Sequence, residues 1–111
     1  MEIMEIMEMM KIMHGKISVY NNNKEYSYKI WQITAKFEED IHDVIGVRRC
    51  TGIVIKSEAP LEINLAAETK LYNEFAGVEY NDADGNGYYR KNAMNNLSER
   101  TGVDTSLIEI E

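Results

Sequence analysis

EYSYKIWQITAKF, residues 25–37, alternates in two phases. Tyr26, Tyr28 and Ile30 share one parity, whereas Trp31, Ile33, Ala35 and Phe37 share the other. Side chains of a strand change face at every residue. A change of parity inside one apolar run therefore marks a bulge or bend, where the buried face is handed from one residue set to the next. The stretch predicts one long strand, bent near Ile30-Trp31. Its short connections to the flanking segments make antiparallel neighbours the expectation.

Upstream, Met13, Gly15, Ile17 and Val19 alternate with His14, Lys16, Ser18 and Tyr20, which predicts a first strand with one wet side. Asn21-Asn22-Asn23 follows as a turn, because Asn tolerates left-handed backbone. Before it, MEIMEIMEMMKIM holds six methionines in 13 residues, and its MEI triplet has a period that fits neither helix nor strand. Glu2, Glu5 and Glu8 interrupt any apolar run, so the segment is not a signal peptide. Residues 1–10 are expected to form a dispensable extension and residues 11–111 a single globular domain.

Downstream, Glu38-Glu39-Asp40 predicts an acidic turn. Ile45, Val47, Ile53 and Ile55 then share a face across residues 44–56, as two short strands or one long bent strand. After Pro60 the period changes to that of a helix. Leu61, Leu65, Tyr72, Phe75 and Ala76 fall on one side, Gly77 stops the helix, and Asn64 is a candidate cap. A second helix is predicted from about Tyr88 to Arg100, with Tyr89, Ala93, Met94 and Leu97 as its apolar stripe and Gly102 beyond its end. SLIEIE then alternates as a closing edge strand. The expected fold is α+β: an antiparallel β-sheet of about four to five strands, then two α-helices and a short C-terminal strand.

Composition narrows the functional classes. A chain of 111 residues with 44% hydrophobic and 28% charged residues is long enough for one core. No apolar run approaches the roughly 18 residues of a membrane helix. The single Cys50 excludes an internal disulfide and favours an intracellular, cytoplasmic setting. Net charge is −7, and residues 61–111 carry 10 acids against 4 bases, a field that disfavours direct nucleic-acid binding.

NDADGNGYYR, residues 81–90, begins like a calcium loop, with Asp82, Asp84, Asn86 and Gly87 suitably spaced. The bidentate acid that such a loop requires is replaced by Ala93, and Arg90 stands where a ligand or bridging water belongs. No metal or cofactor is expected. LSERTGVDTSLIE, residues 97–109, resembles the second half of a helix-turn-helix, yet its reading segment holds Asp104 and Glu109 and no base. A helix stop and an edge strand explain the same letters. His14 and His42 are isolated in sequence, and phosphate-cradling and nucleophile-elbow motifs are missing. Cys50 has Arg48 and Arg49 beside it, which would favour a thiolate, but reads as a small core residue without a positioned His. No catalytic residue is assigned, and an enzyme is not expected.

Two groups remain as a candidate ligand site. Arg48 and Arg49 point to opposite faces of an apolar strand, so one guanidinium needs an anionic partner. Tyr88, Arg90 and Asn92 open the second helix, where an aromatic face, a cationic fork and an amide together suit a base and a phosphate. The composition resembles that of small phage or mobile-element proteins. In layout, a sheet followed by two helices resembles the Thoeris anti-defence sponge proteins, which sequester cyclic ADP-ribose-type signals; no motif of that family is matched and no residue is carried across. The resemblance implies a homo-oligomer in the host cytoplasm that sequesters an anionic nucleotide. The alternative is an acidic decoy for a basic nuclease or nucleic-acid-binding defence protein, as with some anti-CRISPR proteins.

Overall fold

The computed structural model describes residues 3–39, 46–82, 85 and 87–111. In chain order the elements are α1 (Ile3–Glu8), β1 (Met10–Met13), β2 (Lys16–Asn21), β3 (Lys24–Glu39), β4 (Val47–Ser57), α2 (Leu61–Phe75), β5 (Glu79–Asn81), α3 (Tyr88–Thr101), a 3₁₀ turn (Thr105–Leu107) and β6 (Ile108–Ile110). The protein is α+β, with an antiparallel sheet, helices and a short closing strand.

The quoted stretch becomes β3, and it organises everything else. Sixteen residues at about 3.3 Å each span roughly 50 Å, which matches the 50 Å long axis of the molecule. Its first half pairs with β2, and its second half takes β4 on one edge and β6 on the other. The sheet order is β1-β2-β3-β4-β5, with β6 parallel to β3 at Ile33–Ala35.

The phase change is a bulge. Ile30 faces Ser57 and Gln32 faces Lys56, so Trp31 is left unopposed. The extra residue lets Ile30 and Ile33 both reach the core, while Trp31 stays 52% exposed. Trp31 therefore does not share the buried face of Ile33, Ala35 and Phe37, contrary to its parity. A second irregularity, at Lys36–Gly52 and Phe37–Cys50, leaves Thr51 extra on β4. Residues 47–57 are thus one long bent strand; Ile45 and His42 lie outside the described residues.

Residues 13–19 also differ from their alternation. His14 and Gly15, both at positive φ, form a two-residue turn between β1 and β2, so Met13 faces Lys16 across a hairpin instead of preceding it in one strand. The turn at Asn22-Asn23 is as expected, with φ of 51° and 64°. β5, three residues long, was not visible in the pattern.

The core lies on one face of the sheet. Ile12, Ile17, Ile30, Ile33 and Ile55 meet Ala66, Ala67 and Leu71 of α2 and Ala93 and Leu97 of α3 in one cluster. On α2 the buried set is Ala66, Ala67, Leu71 and Phe75; Leu61 is 72% exposed and Leu65 is also exposed, so the stripe is rotated from the one expected. The helix begins at Leu61, and Asn64 lies inside it, bonded to β4 rather than capping. α3 buries Tyr89, Ala93, Leu97 and Thr101 and ends at Gly102 in the left-handed conformation, as predicted. α1 packs against α2 and buries Ile6, so the methionine-rich segment contributes to the core. Among the described residues, no helix is long and apolar enough to cross a membrane.

Candidate functional site

The predicted site residues fall around the start of α3. Tyr89 enters the core at 2% exposure, edge-on to Phe37, which in turn meets Tyr80 edge-on. Two guanidinium groups from distant parts of the chain lie over the Tyr89 ring, Arg48 at 5.5 Å and Arg90 at 5.2 Å from its centroid. The ring quadrupole favours both cations. The ring is buried under these groups, so Tyr89 is not a stacking platform. Tyr88, 67% exposed, is the aromatic that faces outward beside Arg90.

Asp82 fixes this arrangement. Its Oδ1 accepts the N–H of Gly87 at 3.0 Å, and its Oδ2 lies 3.4 Å from Arg48 Nε. The backbone of Asp82 donates to Gly46 and accepts from Gly85. The residue that would open a calcium loop thus ties β5 to the start of α3 and neutralises Arg48. Asp84 and Asn86 lie outside the described residues. Gly87, at φ 75°, is the N-cap; a Cβ there would meet Arg90 Nη1 at 2.8 Å, so the absent side chain lets the guanidinium lie against the backbone.

Arg49 is taken by its cross-strand neighbour Glu79, with Nη2 2.5 Å from Oε1. It pairs with Glu38 on its other side, so it sits in a row of acids on the sheet face opposite Arg48. The two arginines do point to opposite faces, and each meets a carboxylate. The structure brings Arg48, Arg90 and Tyr88 to one end of α3, leaves Asn92 exposed one turn along, and sets Arg49 apart.

Other candidates resolve plainly. Cys50 is a buried core residue, and burial pushes its thiol pKa up, against a lesser lowering by its hydrogen bond to the Gly52 carbonyl. Residues 105–110 are a 3₁₀ turn and β6, so the helix-turn-helix resemblance does not extend to the fold. Among the described residues there is no group of three His, Cys, Asp or Glu side chains able to hold a metal. Of the nine acids of residues 61–111 that lie among the described residues, five hold partners inside the fold. They are Glu68 on Ile55 N–H, Glu74 on Arg100, Glu79 on Arg49, Asp82 on Arg48 and Gly87, and Asp104 on Ser106 N–H.

Sequence reasoning missed a second feature as a site. The face of β1–β3 turned away from the core forms a recess of about 400 Å³ that includes Lys11, Lys16, Ser18, Tyr20, Glu25 and Ser27 in its walls. The wet-side alternation of Lys16, Ser18 and Tyr20 was its only signal. Comparisons with protein-family models, with curated proteins and with solved structures find no match for the chain, so the resemblance in layout brings no further residue to either place.

Proposed function

We propose that this chain is a small non-enzymatic binding protein that sequesters an anionic nucleotide at the head of α3. One observation carries the reading: Arg48 and Arg90 both bring a guanidinium to the Tyr89 ring. Asp82 offsets Arg48, which leaves Arg90 and the adjacent Lys91 as exposed cations where the positive end of the helix dipole adds to their field. In this reading Arg90 binds a phosphate in bidentate fashion, Tyr88 stacks on the base, and Asn92 supplies an amide contact. The placement of Arg48 is structural: it orients Tyr89 and, through it, Arg90. Arg49, held by Glu79, has no part.

The resemblance in composition to small phage or mobile-element proteins, and in layout to the sponge proteins, implies a homo-oligomer in the host cytoplasm acting against a nucleotide defence signal. An acidic decoy for a basic protein is the alternative. It draws less support, because five of the nine described carboxylates of residues 61–111 are engaged within the fold.

Native mass spectrometry of the purified protein tests the reading directly, since it reports stoichiometry and any co-purified small molecule together. A bound nucleotide in the wild type that is lost in Arg90→Ala is the expected result. Losing one charge-assisted contact costs about 1.5–3 kcal/mol, roughly ten- to a hundredfold in affinity. If inhibition of the host system survives Arg90→Ala but fails in a Glu99/Glu109 double substitution, the decoy replaces it.

A further inference from the structure

We infer that the recess on the open face of β1–β3 is a second ligand site, built for a phosphate monoester of mononucleotide size. It does not depend on the reading of the α3 head, because no residue is shared.

The strand register sets out the donors. Lys11, Ser18 and Ser27 lie in one row across the three strands, Met13, Lys16 and Lys29 in the next, and Tyr20 faces Glu25 in the row on the other side. All stand on the face opposite Ile12, Ile17 and Val19, which enter the core. Among the described residues, Lys11 and Lys16 have no carboxylate partner, in a chain with seven more acids than bases. The charge gathered here is therefore opposite to that of the molecule as a whole.

The hydroxyl row adds directional donors. Ser18 Oγ lies 3.1 Å from Ser27 Oγ, and Ser18 is only 8% exposed. Two hydroxyls carry two protons, and the bond between them uses one. The other remains to be donated to an oxyanion above the row. Lys11 at the end of the row and Lys16 beside it supply the charge. Tyr20, with Lys11 Nζ 5.7 Å from its ring centroid, supplies an aromatic wall. Hydroxyl, two ammonium groups and a ring within about 400 Å³ fit a phosphate joined to a flat apolar body, in the size range of ligand pockets. Glu25, across from Tyr20, is the opposing charge at the rim.

The test is calorimetric titration of the full chain with AMP, adenosine and inorganic phosphate. AMP should bind the wild type, with adenosine and inorganic phosphate each at least about tenfold weaker. Lys11→Ala and Lys16→Ala should each weaken AMP by roughly tenfold or more. Glu25→Gln should tighten it, a gain that loss of folding cannot produce, and Lys36→Ala, an exposed cation outside the recess, should leave it unchanged. The inference is overturned if AMP does not bind, or if binding survives the Lys11→Ala/Lys16→Ala double substitution. Loss of AMP binding in Arg90→Ala would overturn it too, because that places the nucleotide at the α3 head. Adenosine binding as tightly as AMP would remove the phosphate from the site.

Discussion

Glu68 accepts the backbone N–H of Ile55 at 2.7 Å, so a helix side chain stands where a neighbouring strand would. One turn earlier on α2, Asn64 donates to the carbonyl of the same Ile55 at 2.8 Å and accepts from Ser57 Oγ. The reason lies in the sheet. β5 pairs only with Val47–Arg49, which leaves the far half of β4 with an open edge. Unpaired N–H and C=O groups on such an edge are costly when buried and invite another chain when exposed. Residues four apart on a helix share a face, so Asn64 and Glu68 can serve both groups of one strand residue.

Glu68→Ala should therefore destabilise by about 1–3 kcal/mol, the cost of a buried N–H without a partner. Asn64→Ala should cost a similar amount, and the double substitution should be non-additive because both side chains act on Ile55. Denaturant unfolding of the three variants measures this. A change below about 0.5 kcal/mol for Glu68→Ala would mean that water replaces the carboxylate.

What the sequence disclosed follows a physical division. Long alternating runs carry their own register, so β3, its bend, the Asn22-Asn23 turn and the stripe of α3 were legible. Positions settled by a partner were not. Parity shows that a bulge exists near Ile30-Trp31 but not which residue is left unopposed; pairing with Ser57 and Lys56 decides that, and expels Trp31. His14-Gly15 breaks a run whose alternation continues through it, and only the turn geometry reveals the hairpin. The stripe of α2 was assigned to its large residues, yet close approach to the sheet selects Ala66 and Ala67. Arg48, Arg90 and Tyr88 were legible as chemistry, but the approach of Arg48 to the Tyr89 ring and the part of Asp82 depend on contacts between distant segments.

Gly102→Ala should be among the most damaging substitutions in the chain. Gly102 sits at φ 75°, and a Cβ there would lie 2.6 Å from the backbone N of His14 and 2.8 Å from that of Gly15. The neighbour is a turn held by Gly15 N–H to Thr101 O at 2.8 Å, so it cannot yield as a side chain would. A loss of at least about 2 kcal/mol is expected, from the left-handed backbone and the overlap together. Gly77→Ala is the control. Its Cβ would meet nothing within 4 Å and its φ is not in the left-handed range, so it should be neutral or slightly stabilising. Equal effects of the two would refute the packing argument.

Removing residues 1–9 should lower the melting temperature, although the sequence period gave them no core face. Ile6 is 4% exposed, on a helix that packs against α2 and β1. Burial of one such side chain contributes about 1.5–3 kcal/mol, and for a chain of this size each kcal/mol is worth several degrees. Ile6→Ala should reproduce a large part of the loss. An unchanged melting temperature for the truncated chain would return the segment to the role of a dispensable extension.

Asp104 gives the chain an acid-sensitive joint. Its Oδ1 accepts the N–H of Ser106 at 2.9 Å, capping the 3₁₀ turn that delivers β6 to β3. That backbone bond, with a lesser one from the Ser106 hydroxyl, holds the carboxyl pKa below the usual aspartate range. A group whose pKa is lower in the folded state binds protons more readily when unfolded. Its contribution is therefore complete above the unfolded value of about 4 and is lost as pH falls through the folded value. Asp104→Asn keeps an oxygen that accepts the same N–H at every pH and removes the titration. The melting temperature of the wild type should exceed that of Asp104→Asn at pH 7, and the gap should close as pH falls from about 5 to below the folded pKa. Differential scanning calorimetry across that range decides the point: curves that stay parallel would show that Asp104 titrates identically in both states and that the cap carries no pH dependence.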